Sequence, residues 1–194
     1  MIPSFAWCTG ALLAVGLGAA AETPAPPQTP VPPQTPVPAR TGCLSSGDGY
    51  LRANLGGAVE AHLDWPNSGT QCEGESRGSP PGVHLSFRRD KSKPDLLLVF
   101  GLTGVQPGRP GREIGVNVTV IVQGTGQIYG TLGDSRCTVD RLEQRPLAGA
   151  GNYRIESRGF CTQPAHAVHG SGDVLVSTFE FAGPVMYLTD SEQE

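Results

Sequence analysis

Residues 114–122 read Ile-Gly-Val-Asn-Val-Thr-Val-Ile-Val. Every second residue of this stretch, from Ile114 to Val122, is β-branched. Because side chains of a strand point alternately to its two faces, these five side chains share one face. The stretch therefore predicts a β-strand that buries one face in a core.

Shorter alternations of apolar and polar residues lie on both sides of this stretch, separated by Gly, Pro, Asn and Asp. They predict strands at Tyr50–Leu55, Val59–Trp65, Val83–Arg88, Leu96–Phe100, Gln127–Leu132, Tyr153–Cys161 and Val174–Phe181. Residues 135–144 fit a short helix and a strand equally well. With 27 Gly and 18 Pro, the pattern predicts an all-β fold. We expect an antiparallel β-sandwich or partly closed barrel of about eight or nine strands.

The N-terminal segment has the features of an export signal. Residues 1–21 carry no charged side chain, and an apolar run at 11–17 leads into Ala19-Ala20-Ala21 before Glu22. Small residues at this place are typical of a signal-peptidase site. We expect residues 1–21 to be a cleaved signal peptide. The alternative is an uncleaved anchor, although the apolar run is short for a membrane span.

Residues 22–41 form a proline-rich linker. Within it, Thr-Pro-Ala-Pro-Pro-Gln is followed by Thr-Pro-Val-Pro-Pro-Gln and Thr-Pro-Val-Pro-Ala-Arg. Proline fixes φ and removes the backbone donor, so we expect a disordered polyproline II tether that extends about 3.1 Å per residue. The disulfide-containing β domain is expected to occupy residues 42–194.

Cysteine spacing predicts two disulfides. Of five cysteines, Cys8 lies in the predicted signal peptide, and four remain to pair in an oxidising compartment. Three pairings are possible. We favour Cys43–Cys72 and Cys137–Cys161, because each closes a loop of about 25–30 residues that holds strand pairs. We expect the second bridge to stabilise the domain more, since Cys43 follows the tether, where the chain should fray.

The charge pattern argues against nucleic-acid binding. The formal net charge is -4, and the two lysines, Lys91 and Lys93, belong to a predicted turn. A nucleic-acid-binding surface usually clusters Lys and Arg on one face. No nucleic acid and no cofactor are therefore expected.

One histidine pair is a weak candidate for metal binding. His166 and His169 would share a side of a helix, as metal ligands require. However, Pro164 before them and Gly170 after them favour a surface loop. The expectation is that they bind no metal.

Carboxylates that could act in a hydrolase are scattered along the chain. They are Asp64, Glu73, Asp134 and Glu156. Glycoside hydrolysis needs two carboxyl groups that face each other, and the sequence singles out no such pair. No catalytic residue is therefore assigned.

Several spaced motifs resemble exported β-domain proteins of high-GC Gram-negative bacteria, a group to which we attach no activity. They are Cys43–Arg52, Leu63–Trp65, Cys72–Gly74, Asn117–Ile121, Cys137–Asp140, Arg158–Thr162 and Phe179–Gly183. The resemblance implies a periplasmic or outer-surface location and no catalytic residues.

Two classes of function are compatible with these observations. The first is a non-catalytic envelope-associated or secreted binding or structural domain, whose partner is a protein or an envelope polymer. The alternative is an extracytoplasmic hydrolase acting on envelope or extracellular polymers, with the carboxylates or His166 and His169 as catalytic groups. A membrane partner is expected only if the N-terminal apolar segment stays uncleaved.

Overall fold

The structure is a computed structural model that describes residues 42–188; the predicted signal peptide, the tether up to residue 41 and residues 189–194 lie outside the described residues. The described residues form eleven strands. They are β1 (Tyr50–Gly57), β2 (Ala61–Pro66), β3 (Thr70–Arg77), β4 (Gly82–Arg89), β5 (Leu96–Thr103), β6 (Ile114–Val122), β7 (Gln127–Gly130), β8 (Cys137–Pro146), β9 (Asn152–Cys161), β10 (Ala165–Ala167) and β11 (Asp173–Met186). The predicted all-β class is confirmed.

All eleven strands belong to one sheet that is partly closed into a ring. Strands β3 to β7 form an antiparallel meander. A second group runs β2-β1-β11-β9-β8, also antiparallel. The two groups join where β6 pairs with β8 and where β11 meets β3 in one parallel pair, Met186 opposite Glu75. They also join through β10, which pairs with both β7 and β11.

Gly74 lies where β11 approaches β3. A Cβ atom at this position would collide with the carbonyl oxygen of Pro184 and contact Val185 Cγ2 at 3.1 Å. Glycine in a strand is typical of places where another backbone comes close. The residue therefore allows the ring to close here.

The core fills the space inside the ring. The predicted strand β6 buries Val116, Val118 and Val120, as its alternation requires. Four fully enclosed rings pack against one another, with centroids 4.8–6.2 Å apart; these are Phe87, Phe100, Phe179 and Phe181. The side chains on the opposite faces of the strands point to the outer surface.

Eleven strands rather than eight or nine are present, and the additional ones have physical explanations. β3 is mostly polar because its outward residues include Gln71, Glu73 and Glu75, while Thr70 and Cys72 are buried. Residues 137–146 form a strand and not a helix, since β8 pairs with both β9 and β6.

The prediction of a surface loop around His166 is wrong. Ala165–Ala167 forms β10, because its backbone pairs with β11 on one side and β7 on the other. His169 lies in the bend after this strand and is exposed. Pro164 and Gly170, which suggested a loop, instead lie on either side of a very short strand.

Two disulfides join Cys43 to Cys72 and Cys137 to Cys161. Cys137 and Cys161 lie directly opposite each other in the β8–β9 pair, whereas Cys43 precedes β1 and reaches across to β3. The premise that Cys43 frays is wrong, because Cys43 is 3% exposed and its neighbour Leu44 is 5% exposed. The Cys43 N–H also donates to the carbonyl of Asn67 at 3.1 Å.

The two disulfides are typical of a protein that folds in an oxidising compartment outside the cytoplasm. Within residues 42–188, no helix has the length and apolarity needed to cross a membrane.

Candidate functional site

Charged side chains gather on the outer surface of the group β2-β1-β11-β9-β8. Strand alternation explains this: Leu51, Ala53 and Leu55 of β1 point into the core, so Arg52 and its alternate neighbours point outward. We call this surface the charged face. Its charged members are Arg52, Asp64, Asp140, Arg141, Glu143, Arg154, Glu156, Arg158 and Glu180.

Opposite charges alternate across the charged face. Arg52 lies between Asp64, with Nε 3.2 Å from Oδ1, and Glu180, with Nη1 3.7 Å from Oε2. Arg158, which is paired with Glu180 in the β9–β11 register, has its Nε 3.4 Å from Asp140 Oδ1. Exposed pairs of this kind contribute about 0–1 kcal/mol each. Their main effect is to leave the face without a strong field of one sign.

A tyrosine connects two carboxylates on this face. The hydroxyl oxygen of Tyr50 lies 3.2 Å from Glu180 Oε1 and 3.4 Å from Glu156 Oε1. Burial, together with the two nearby negative charges, raises the pKa of Tyr50 well above its ordinary value of 10.0. The hydroxyl therefore keeps its proton and donates a hydrogen bond to one carboxylate at a time.

Arg154 anchors one end of the charged face. It is 9% exposed, and its Nη1 lies 2.6 Å from Glu156 Oε2 while its Nε lies 2.7 Å from Asp48 Oδ2. Its Nη2 also donates to the Asp48 carbonyl at 3.3 Å. A hydrogen bond from the Ser46 hydroxyl and the Arg154 charge lower the pKa of Asp48. These contacts tie the turn before β1 to β9.

Two adjoining cavities run along the charged face. One has a volume of about 330 Å³, and the other, which shares Arg158 and Glu180 with it, about 100 Å³. Phe160 lines the larger cavity and is 41% exposed. Asn54 Nδ2 donates to Thr178 Oγ1 at 2.9 Å in the same cavity. We call Asn54, Arg158, Phe160, Thr178 and Glu180 the strip.

A separate groove of about 310 Å³ lies on the outer surface of β4, β5 and β6. His84, Gly101 and Asn117 line it, and His84 Nε2 lies 3.2 Å from Glu75 Oε1. At its end, the Thr103 hydroxyl donates to Asp134 Oδ2 at 3.0 Å. Among the described residues that line this groove there is no Phe, Tyr or Trp.

The structure separates the candidate site residues of the sequence analysis. His166 Nδ1 lies 2.6 Å from Asp173 Oδ1, and in residues 42–188 no group of three or more His, Cys, Asp or Glu side chains could hold a metal ion. Of the scattered carboxylates, Asp64 and Glu156 lie on the charged face. Asp134 lies at the other groove, and Glu73 lies on β3.

Sequence reasoning missed Glu180 and Phe160. Glu180 stands between Phe179 and Phe181, both buried, so strand alternation could have placed it on the surface. Its closeness to Glu156 depends on the pairing of β11 with β9, for which no local sequence signal exists.

Fold and site together define a disulfide-bonded all-β domain with a polar, charge-compensated face. No protein-family model matches the chain, and neither a curated protein nor a solved structure matches it. The function of the domain must therefore be inferred from the chemistry of its own surface.

Proposed function

We propose that the chain is a non-catalytic binding domain, located in the periplasm or secreted, and that its strip binds a neutral polysaccharide of the cell envelope. The observation that carries this proposal is the exposed ring of Phe160 inside a cavity continuous with a second one. An extended ligand could occupy both.

The chemistry of the strip suits a sugar ring. A pyranose has C–H groups on its faces and hydroxyls around its rim. The negative face of an aromatic ring such as Phe160 attracts the C–H face. The rim can meet the amide of Asn54, the hydroxyl of Thr178 and the carboxylate of Glu180. A small number of such polar groups is enough to fix a ligand's orientation.

Charge compensation favours a neutral polymer. Arg52 and Arg158 are each paired with carboxylates at 3.2–3.7 Å. A polyanion such as nucleic acid needs uncompensated cations, because its affinity comes from the release of counterions. A neutral polymer needs only hydrogen bonds and apolar contact.

The ion-pair partners of Glu156 and Glu180 favour binding over hydrolysis. Glycoside hydrolysis requires one protonated carboxyl group as general acid. Glu156 is held by Arg154 at 2.6 Å and Glu180 lies 3.7 Å from Arg52. Both carboxylates therefore already have a guanidinium partner within the domain itself.

Titration calorimetry with a panel of neutral envelope polysaccharides tests the proposal. We expect one of them to bind, and Phe160→Ala to weaken that binding about tenfold or more, as loss of an aromatic anchor does. Leu132→Ala is the matched control, since Leu132 is 74% exposed and lies outside both cavities. No binding by any polymer, or equal losses in both variants, would contradict the proposal.

The second candidate function is hydrolysis of the same polymers, which is favoured by the Tyr50 hydroxyl between Glu156 and Glu180. Release of new reducing ends distinguishes it from binding. We expect none. Release that is lost in both Glu156→Gln and Glu180→Gln would replace the binding proposal by the hydrolase.

A further inference from the structure

β2 ends the sheet, and its outer edge is free among the residues that the structure describes. It pairs with β1 over residues 61–66 and with no other described strand. An edge strand presents unpaired N–H and C=O groups that can pair with another strand. We propose that two copies of the chain pair through β2, edge to edge and antiparallel.

β2 has few of the features that usually prevent such pairing. Its register with β1 is regular, without a bulge. Proteins often place lysine on edge strands, yet both lysines of this chain, Lys91 and Lys93, lie in the turn between β4 and β5. Only Pro66, at the end of the strand, lacks a donor.

Strand geometry restricts the possible registers. Leu63 and Trp65 face the core, while His62 and Asp64 are exposed. Directly opposite residues in an antiparallel pair point to the same side. A register shifted by one residue would put the exposed His62 opposite a core-facing residue of the second copy. Only registers that differ by two residues therefore keep the core-facing side chains of both copies on the same side.

The charges select one of the remaining registers. When Leu63 lies opposite the second copy's Leu63, His62 faces the second copy's Asp64 on both sides of the two-fold axis. A shift one way puts Asp64 opposite the second copy's Asp64. A shift the other way puts Asp64 opposite the second copy's Glu60. Like charges directly opposite are destabilising, so the Leu63-centred register is favoured.

Both side chains have an atom left for the second copy. The Nδ1–H of His62 donates to Asn54 Oδ1, which leaves Nε2 to donate to the second copy when the ring is an imidazolium. Asp64 uses Oδ1 for Arg52, which leaves Oδ2. In the same register, Ala61 lies opposite the second copy's Trp65, so the apolar sides also match. His62 also lines the larger cavity of the charged face, but the pairing rests on the backbone edge of β2 and not on what the strip binds.

Sedimentation velocity of the full-length protein gives the first test. We expect monomer and dimer in an equilibrium that shifts toward dimer between about 10 and 500 µM. A single monomeric species over this range would overturn the proposal.

Cysteine cross-linking tests the register. The variants carry Cys8→Ser, so that the introduced cysteine is the one thiol outside the two disulfides. We expect a mixture of His62→Cys and Asp64→Cys proteins to form a disulfide-linked dimer under mild oxidation, and each variant alone to form little. Opposed Cβ atoms in a strand pair are close enough for a disulfide.

The control is Thr125→Cys in the exposed turn between β6 and β7, which reports random collision. Cross-linking of His62→Cys alone or Asp64→Cys alone above this control would show a different register. Cross-linking of the mixture no greater than the control would show that β2 does not pair with itself. Either result would overturn the proposal.

Discussion

Arg154 is the only charged residue that is buried among residues 42–188. Its guanidinium joins the turn before β1 to β9 through Asp48 and Glu156. A buried guanidinium is costly to desolvate, and its partners repay that cost only in good geometry. The hydrogen bond from Nη1 to Glu156 at 2.6 Å meets this condition, whereas Nε lies 2.7 Å from Asp48 as an ion pair without a hydrogen bond. Arg154 is therefore expected to stabilise the fold mainly through Glu156.

Replacing Arg154 by Met should lower the free energy of unfolding by about 2 kcal/mol, because two carboxylates lose their partner. Urea-induced unfolding followed by circular dichroism measures this. Arg145→Met is the matched control: its side chain is 70% exposed and 4.0 Å from Glu143, so we expect a change below about 0.5 kcal/mol. Equal losses in both variants would show that Arg154 acts as an ordinary surface residue.

Asp48 should make the stability depend on pH in the acid range. The hydrogen bond from Ser46 and the charge of Arg154 lower the pKa of Asp48 below its ordinary value of 3.8. A carboxyl group whose pKa is lower in the folded state stabilises the protein at pH values above its pKa in the unfolded state. This contribution disappears as the pH falls through its pKa in the folded state.

We therefore expect the Tm of the native protein to fall more steeply below about pH 4 than that of Asp48→Asn. Thermal unfolding between pH 7 and pH 3 checks this. Parallel losses of Tm in the two proteins would mean that Asp48 contributes nothing to the acid sensitivity.

At the scale of the elements, the sequence predicted strands where one face is strongly apolar. β6 is the clearest example, since its β-branched residues recur at every second position. β3 and β10 escaped prediction for different reasons. The core-facing positions of β3 are Thr70, Cys72 and Gly74, which are small or polar, so the strand shows no apolar alternation. β10 is three residues long and forms only because it pairs with β7 and β11.

The two disulfides should contribute similarly to stability, contrary to the ranking expected from sequence. Their sequence separations are 29 and 24, so the chain-entropy contribution is about 3.5 kcal/mol for each. The burial of Cys43 removes the reason for ranking it lower. It connects the segment before β1 to β3, while Cys137–Cys161 connects β8 to β9.

Unfolding in urea of Cys43→Ala/Cys72→Ala beside Cys137→Ala/Cys161→Ala measures the two contributions. We expect losses of about 2–4 kcal/mol that differ by less than about 1 kcal/mol. A much smaller loss for the first pair would restore the view that the N-terminal bridge holds only a fraying end.

At the scale of the whole molecule, the fold depends on pairings between distant parts of the chain. β1 pairs with β11 across more than a hundred residues, as in Tyr50 opposite Ala182. Local patterns can predict which residues form strands, but they carry no information on which strands meet. The all-β class, with a partly closed barrel as one of two alternatives, was therefore predictable, whereas the strand order that closes the ring was not.

The same limit explains why the strip could not be predicted. Its residues come from β1, β9 and β11, which are far apart in the sequence. Each strand taken alone shows only an ordinary polar face. Phe160 could have been noticed as an aromatic residue at an outward position of β9, next to the inward Gly159 and Cys161.

The central claim is that the strip, and not the groove on β4, β5 and β6, binds a neutral polysaccharide. The most direct measurement is the change in backbone amide chemical shifts when an oligosaccharide fragment of that polymer is titrated into isotopically labelled protein. We expect the amides of Asn54, Phe160 and Thr178 to shift, while those of Gly101 and Asn117 stay unchanged. Shifts confined to Gly101 and Asn117 would place binding at the other groove and contradict the account.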